Sequence, residues 1–299
     1  MTLTIHSGKH DVTITRPDKP LFADGTTKAD LARYYDAVGE VMVSHIAGRP
    51  LNLERYPDGI DGPRFFQQKA SGHFPDWIRR VEVAKEGGTV EHVVADEPAT
   101  LVYLAGQAAI TPHAWTSRAD RIDRPDRLIV DLDPSDPSND VRSAALDVGD
   151  VLRDLGLEPF AMTTGSRGYH VVVPIQRRAD HATVVGFARD LAAVLADREP
   201  DRFTIEQRKA KRGDRILLDM QRNAYAHTAV APYAVRARPG APVATPLRWE
   251  ELSDPETTPT AFTLRDVPRR LEEQGDPWAR IDGSARALGA ARRRLDALR

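Results

Sequence analysis

Three aspartates stand at the ends of two apolar segments, where carboxylates can hold a divalent cation. Asp131 and Asp133 lie in RLIVDLDP, and Asp219 ends RILLD. Side chains two positions apart on a strand point to the same face, so Asp131 and Asp133 should emerge together. Neighbouring carboxylates repel each other unless a cation lies between them, and hard oxygen ligands suit Mg²⁺ or Mn²⁺. With Asp219 as a third carboxylate, the pattern predicts a two-metal site.

The D-x-D motif alone leaves other interpretations open. A pair of solvated carboxylates at a strand end has the same sequence. The motif also resembles the first motif of the haloacid-dehalogenase phosphatases. That family has Thr or Val two positions after the second aspartate, whereas this chain has Ser135 there, preceded by Pro134. The phosphatase interpretation is therefore weakened.

A second group of residues, TTGSRGYH, lies between two apolar segments and has the composition of an anion-binding turn. Glycines and hydroxyls at such a turn let backbone N–H groups face an anion closely. Arg167 adds a charged donor, and His170 begins the following strand. The loop lacks the G-x-x-x-x-G-K-[ST] pattern of a P-loop. A hairpin turn with a packed histidine is the alternative interpretation.

The segment 202–222 holds seven basic and three acidic residues, a local net charge of +4 in a chain whose net charge is −2. Such a run is often a solvated face. Here it leads directly into the strand that ends at Asp219, so the charges also fit a polyanionic substrate bound beside the carboxylates.

The amino-acid composition excludes several classes of protein. The 299 residues are long enough for a substantial core, and 41% are hydrophobic. The absence of cysteine excludes disulfides, a thiol nucleophile and Cys-ligated metal sites. No apolar run approaches the roughly 20 residues that a membrane span needs. The first residues lack the apolar stretch of a signal peptide, so we expect a cytoplasmic protein without a membrane partner.

The elements that must position these residues alternate between short apolar strands and helices, which favours a sheet domain with flanking helices. We predict a strand in 1–16 and a helix after Thr27, which is a favourable N-cap. The sequence predicts an ordered loop with a short strand at 48–64, a helix at 100–110 and a connection at 111–127. The predicted elements of the second half are strands at 127–134, 159–164, 169–175, 215–219 and 228–235, helices at 141–155 and 181–197, and a peripheral helix in the tail from 265.

Several ordered motifs together resemble the polymerase domain of bacterial ligase D, a member of the archaeo-eukaryotic primase superfamily. They are RPDKPLF, GTTKADLARYY, HIAGRPLNLERYPDG, FFQQKA, ITPHAW, LIVDLDPSD, TTGSRGYHVVVP, KAKRGDRILLD and TAVAPYAVR. The resemblance implies an α+β fold, with a primase-like catalytic core of mixed or antiparallel sheet and flanking helices. It covers about residues 10–270. We therefore expect one primase-polymerase domain over 1–270, with an N-terminal module to about 110, a catalytic core at about 111–260 and a helical tail at 271–299.

The same resemblance implies an enzyme that adds nucleotides to a DNA primer 3′-OH, with Mn²⁺ or Mg²⁺ at a two-metal site and ribonucleotides preferred over deoxynucleotides. The implied substrates are NTPs or dNTPs and gapped or broken DNA with a 5′-phosphate, in end joining or excision repair. The implied partners are a separate ATP-dependent DNA ligase and the end-binding protein Ku. We expect a monomer associated with the bacterial nucleoid.

Site residues follow from the matching motifs. Asp131, Asp133 and Asp219 are the expected catalytic and metal-binding residues. The expected nucleotide-binding residues are Thr164, Ser166, Arg167, His170, Arg222 and Arg236. The expected DNA-binding residues are Lys19, Lys28, Arg55, Phe65, Phe66, His113 and Arg212, of which Lys19 and Lys28 match lysines that bind the 5′-phosphate.

Some positions depart from the family pattern. Thr164 and Arg167 stand where Ser and Lys are common, and both keep a hydrogen-bond donor. Arg222 stands where a Gln is common after the third aspartate and adds a phosphate ligand. Glu54 replaces a basic residue, which removes a positive charge from a predicted backbone contact.

Two other functions fit parts of the sequence. A metal-dependent phosphatase or nuclease uses the same carboxylates for hydrolysis, but the predicted triphosphate ligands would then have no role. A non-catalytic module that binds DNA ends would not need the three carboxylates, and all three are present.

Overall fold

The computed structural model describes residues 1–298. Within that range the helices are α1 Lys28–Ala37, α2 Gly39–Ile46, α3 Pro98–Gly106, α4 Val141–Asp154, α5 His181–Arg198, α6 Val267–Gln274 and α7 Leu288–Asp296. The strands are β1 Thr2–Ser7, β2 His10–Thr15, β3 Pro50–Arg55, β4 Phe65–Gln67, β5 Arg80–Lys85, β6 Gly88–Val94, β7 Ala109–Trp115, β8 Arg127–Pro134, β9 Phe160–Thr163, β10 Tyr169–Pro174, β11 Phe203–Thr204, β12 Ile216–Asp219, β13 Thr228–Val230 and β14 Pro246–Leu247.

The chain folds into two units, each assembled from three segments. Among the described residues, unit 1 comprises 1–120, 228–245 and 262–276, and unit 2 comprises 121–227, 246–261 and 277–298. The sequence analysis expected a division near residue 110 but not the return of the chain to unit 1 after residue 227.

Unit 1 contains an antiparallel sheet of strand order β13-β7-β3-β6-β5, in which β4 also pairs with β3. The hairpin β1–β2 forms a separate pair, and Gly8 at its turn has a φ of +57°. Helix α1 begins with a capping box in which the Thr27 hydroxyl accepts from the Asp30 backbone N–H. This confirms the predicted N-cap.

Unit 2 contains the sheet β11-β12-β8-β10-β9-β14, whose pairs are antiparallel except for β11 with β12. Every residue of β8 is buried apart from Asp133, which is half-buried. Helices α4 and α5 begin at the caps Asp140 and Asp180, whose carboxylates accept backbone N–H groups three residues later. An apolar central strand flanked by capped helices is the arrangement that the alternating pattern predicts.

Most predicted elements around the aspartates are confirmed. The strand predicted at 127–134 is Arg127–Pro134, and the helices predicted at 141–155 and 181–197 are Val141–Asp154 and His181–Arg198. The mixed α+β architecture is also as expected. None of the described helices is long and apolar enough to cross a membrane.

Three sequence predictions were wrong in detail. The helix predicted at 100–110 ends at Gly106, because Ala108 adopts a φ of +57° and reverses the chain into β7. The connection predicted at 111–127 begins as buried strand through Trp115, although Pro112 has no N–H to offer a neighbouring strand. The single tail helix is two helices, α6 and α7, with the buried Trp278 between them.

Candidate active site

The three aspartates lie on two adjacent strands of unit 2. Strands β8 and β12 pair so that Asp131 is directly opposite Asp219, and Asp133 is opposite Leu217. Directly opposed residues of an antiparallel pair project to the same side, and so do residues two apart on one strand. The fold therefore places all three carboxylates on one face of the sheet, as the sequence predicted for Asp131 and Asp133.

Two basic side chains, His170 and Arg222, contact Asp131, which is 9% exposed. On the neighbouring strand β10, His170 lies opposite Asp131, and its Nε2 is 3.4 Å from Oδ1. The Arg222 Nε donates to Oδ2 over 3.1 Å. Burial raises the pKa of this carboxyl, but His170 and Arg222 outweigh burial and hold the pKa of Asp131 at about 2. Asp131 is therefore an anion at neutral pH.

Two arginines contact Asp133. The Arg167 Nη2 donates to Oδ1 over 2.8 Å, and the Arg212 Nη1 donates to Oδ2 over 3.2 Å. Arg212 also donates to the backbone carbonyls of Glu206 and Gln207, so it fixes the loop before β12 as well as the carboxylate. Burial lowers the pKa of Arg222, but the charges of the three aspartates raise it above the ordinary value.

The donor chemistry of the three carboxylates fits a hard divalent cation. Their side chains nevertheless do not converge: among residues 1–298 no three His, Asp or Glu side chains are placed to hold a metal ion. The oxygens of Asp131 and Asp133 bond His170 and arginines instead. Residue type and strand position thus fit a metal site, and ligation requires rotation of these side chains.

The predicted anion-binding turn is closed by Thr164. Its hydroxyl donates to the Gly168 carbonyl over 2.8 Å, and its backbone N–H donates to the same oxygen. A Cβ added to Gly168 would lie 1.8 Å from the Leu132 carbonyl oxygen. Only glycine therefore lets this turn approach β8 closely enough to bring Arg167 to Asp133. Ser166, which lies between Thr164 and Gly168 in the turn, is half-buried.

Asn223 is a buried residue beside the aspartates that the sequence analysis did not single out. Its carboxamide nitrogen donates to the carbonyls of Ile129 and Met220, and its side-chain oxygen accepts from the Ile129 N–H. It thereby ties the turn after β12 to β8. In the sequence, the feature that could have drawn attention to Asn223 is its position four residues after Asp219, directly after the basic segment 202–222.

Unit 1 holds the aromatic residues predicted to meet DNA. Phe65 and Phe66 are 46% and 49% exposed, which is unusual for large apolar side chains. The Arg55 guanidinium lies 5.0 Å from the centre of the Phe65 ring, and the Phe66 ring meets His113 edge-on. Exposed aromatic rings that are held in place by neighbouring side chains suit stacking against nucleobases.

Glu54 neutralises part of the charge in this region. Its Oε1 lies 3.5 Å from His113 Nε2 and 3.6 Å from an Arg64 nitrogen. Burial raises the pKa of Glu54, but His113, Arg236 and Arg64 together lower it below the ordinary value. Arg236 lies in unit 1, like Glu54, and its backbone N–H donates to the Pro242 carbonyl.

The two predicted phosphate-binding lysines have different environments. Lys19 pairs with the exposed carboxylate of Asp58 over 2.8 Å. Lys28 is buried, and its ammonium donates to the carbonyls of Thr15 and Gly106 over 2.6 and 3.1 Å. Burial lowers the pKa of Lys28, and the nearby charges of Arg16, Lys19 and Arg55 lower it further. Lys19 presents its charge at the surface, whereas Lys28 does not.

Comparison with known proteins decides the family. Residues 27–278 match the family described as LigD, primase-polymerase domain. The chain belongs to the LigD primase-polymerase family. It is 34% identical over 285 residues to the multifunctional non-homologous end joining DNA repair protein LigD of Mycobacterium tuberculosis H37Rv, and 33% identical over 272 residues to LigD of Pseudomonas aeruginosa. These alignments cover 92% and 90% of this chain but 37% and 32% of the relatives.

A solved structure agrees with the family assignment. The polymerase domain from M. tuberculosis ligase D in complex with DNA superposes with a TM-score of 0.86 at 33% identity, over 92% of this chain and 99% of that one. Members of this domain family are nucleotidyltransferases of the polymerase class, and a polymerase uses a divalent metal and nucleoside triphosphates. The chain spans about a third of the length of those two relatives, so their other activities do not transfer to it.

Proposed function

We propose that this chain is a repair polymerase that adds nucleotides to a DNA primer 3′-OH at short gaps and broken ends, with ribonucleotides preferred. The observation that supports this best is the placement of Asp131, Asp133 and Asp219 on one face, beside arginines and His170. Carboxylates alone serve many reactions. Carboxylates beside several cations suit a substrate that brings both metal ions and a polyphosphate.

Asp131, Asp133 and Asp219 would hold the metal ions, with Mn²⁺ preferred and Mg²⁺ as the alternative. When bound, the ions supply Lewis acidity toward the primer hydroxyl and the triphosphate. Arg167 and Arg222, released from the aspartates, would bind phosphate oxygens, and His170 on β10 would be a further triphosphate ligand. The turn of Thr164 and Ser166 offers backbone N–H groups to the same anion. Arg236 is proposed as a further triphosphate ligand.

DNA binding is assigned to the surface of unit 1 and to the basic loop of unit 2. Phe65 and Phe66 stack on bases, Arg55 and His113 support them, and Lys19 binds the 5′-phosphate of the gap. Arg212 fixes the basic loop near the phosphate backbone. We further propose a separate ATP-dependent ligase and Ku as partners in end joining or excision repair, and a monomeric polymerase.

A primer-extension assay tests this function. The purified chain is mixed with primer-template, Mn²⁺ or Mg²⁺, and rNTPs or dNTPs in parallel. Asp131→Asn and Asp219→Asn should each lower kcat by at least tenfold, about 1.4 kcal/mol of transition-state stabilisation. DNA affinity should change little, since phosphate contacts supply most of it. Asp136→Asn, on the exposed loop after β8, is the matched control and should keep full activity.

The assay also separates the alternatives. Shortening of the primer, or release of phosphate without extension, would assign the carboxylates to a nuclease or phosphatase. Full extension by Asp131→Asn would remove the carboxylates from catalysis and leave a DNA-end-binding module as the better interpretation.

A further inference from the structure

His181, the first residue of α5, has an unusual pair of hydrogen-bond partners. Its Nδ1 lies 3.0 Å from the Asn223 carbonyl oxygen, and its Nε2 lies 3.1 Å from the Ile122 carbonyl oxygen. A carbonyl oxygen only accepts hydrogen bonds, whereas a neutral imidazole has one N–H and one lone pair. Both contacts are favourable only when both nitrogens carry a proton.

The location of His181 makes this protonation state informative. The residue is 6% exposed, and a cation in the first turn of a helix opposes the helix dipole. A buried imidazolium needs an acceptor for each of its N–H groups, and the two carbonyls supply both. The Tyr225 ring meets the imidazole edge-on, Asp180 immediately precedes His181, and Asp123 follows Ile122 in the sequence.

The carbonyl that His181 contacts belongs to Asn223, and Asn223 contacts the catalytic strand. Its carboxamide bonds both backbone groups of Ile129 in β8, two residues before Asp131. It also bonds the Met220 carbonyl, one residue after Asp219. Arg222, the ligand of Asp131, immediately precedes Asn223. One buried carboxamide thus fixes the spacing of β8 from the turn that follows β12.

We propose that His181 and Asn223 are positioning residues for the polymerase reaction: a doubly protonated His181 fixes Asn223, and Asn223 holds Asp219 and Arg222 in register with Asp131. Both residues are buried, and their side chains bond backbone groups. The role rests on the proposed polymerase function, whereas the protonation state of His181 can be measured without any activity.

The first test is the protonation state of His181 in the wild-type chain. Long-range ¹H–¹⁵N spectra of ¹⁵N-histidine protein at pH 7 distinguish an imidazolium from either neutral tautomer, and His181→Gln assigns the signal. We expect protons on both nitrogens. His92 is an internal reference, because it is buried, its Nδ1 contacts the Leu51 carbonyl oxygen, and burial lowers its pKa. A neutral His181 ring would overturn the proposal.

The second test separates positioning from folding. Asn223→Asp keeps the acceptor for the Ile129 N–H and loses the donors to the Ile129 and Met220 carbonyls. We expect kcat per folded molecule to fall at least tenfold, with KM for nucleotide and for DNA within twofold. His181→Gln, the milder change, should lower kcat in the same way, and His92→Phe should not.

The outcomes are decisive in both directions. A folded Asn223→Asp protein with kcat within twofold of wild type would overturn the positioning role. If Asn223→Asp and His181→Gln lower thermal stability but leave kcat unchanged, Asn223 and His181 serve folding alone, which also overturns the positioning role. If the wild-type chain extends no primer, the proposed function fails, and the spectra still decide whether His181 is an imidazolium.

Discussion

At the scale of single residues, the candidate active site is balanced in charge. Asp131, Asp133 and Asp219 bring three negative charges, and Arg167, Arg212 and Arg222 bring three positive ones. If the proposed function holds, a metal-bound triphosphate would exchange these ion pairs for equivalent ones, in which carboxylates meet metal and guanidinium groups meet phosphate. Asp131, the buried carboxylate of the three, would keep a partner throughout, so the large cost of an unpaired buried charge would be avoided.

Glu54 gives a prediction about pH and stability. Its lowered pKa means that the ionised form is stabilised in the folded chain, by His113, Arg236 and Arg64. This contribution is fully present above the unfolded pKa of about 4.3 and is lost as pH falls through the lower folded value. Glu54→Gln should therefore reduce the free energy of unfolding at pH 7 by about 1 kcal/mol. Denaturant titration should show the difference shrinking below pH 4; a constant difference would contradict the prediction.

Gly168 gives a prediction about backbone approach. Gly168→Ala places a Cβ against the Leu132 carbonyl oxygen, a contact that only a backbone shift relieves, so stability should fall by about 1–3 kcal/mol. Nucleotide addition should fall with it, because the turn carries Arg167. Gly186→Ala in α5 is the matched control, since its Cβ meets nothing within 4 Å. It should raise stability by about 0.5–1 kcal/mol. Thermal denaturation measures both changes.

At the scale of elements, the sequence predicts those whose apolar pattern and caps agree. The strand RLIVDLDP and the helices that begin after Asp140 and Asp180 are found within one residue of their predicted bounds. Strand β7 was missed because Pro112 argues against a strand, and the partners that override it, Leu53 in β3 and Ala231 after β13, are distant in sequence. The pattern of residues within one segment carries no information about such long-range pairings.

The same limit applies inside the site. The carboxylates and Arg167 are recognisable from residue type and spacing. The roles of Asn223 and Arg212 depend on which backbone carbonyls lie nearby, and that follows only from the folded chain. The burial of Lys28 is a third example, because Thr15 and Gly106 reach its ammonium from separate elements.

Trp278 tests how the segment after α6 is anchored. The residue is 2% exposed, its indole N–H donates to the Ala161 carbonyl over 3.1 Å, and its ring meets Phe160 edge-on. Trp278→Ala should cost about 3–5 kcal/mol of stability. Trp278→Phe keeps most of the ring and loses the hydrogen bond, so about 1 kcal/mol is expected. Equal effects of the two changes in denaturant titration would show that packing of the ring is not what anchors this segment.

At the scale of the whole molecule, the net charge of −2 hides a local excess of positive charge. The segment 202–222 belongs to unit 2, and Arg16, Lys19 and Arg55, none of which is buried, belong to unit 1. Local basic surfaces on a chain that is acidic overall limit indiscriminate binding to nucleic acid while keeping defined phosphate contacts. Affinity for DNA should therefore fall as salt rises, with a slope set by those few contacts.

The 5′-phosphate of a gap gives the last prediction, which depends on the unequal positions of the two lysines. Lys19 is held at the surface by Asp58, so an incoming phosphate competes with that carboxylate. Gapped DNA with a 5′-phosphate should bind more tightly than the same gap with a 5′-hydroxyl, and Lys19→Met should remove the preference, about tenfold for one charge-assisted contact. Asp58→Asn should act in the opposite direction and strengthen the preference for the 5′-phosphate.

Lys28→Met keeps the buried stem but loses the bonds to Thr15 and Gly106, so it should lower thermal stability more than it lowers the phosphate preference. Fluorescence anisotropy at low and high salt measures all four proteins. Equal binding of both gaps by the wild-type chain at low salt would leave Lys19 as an ordinary surface ion pair.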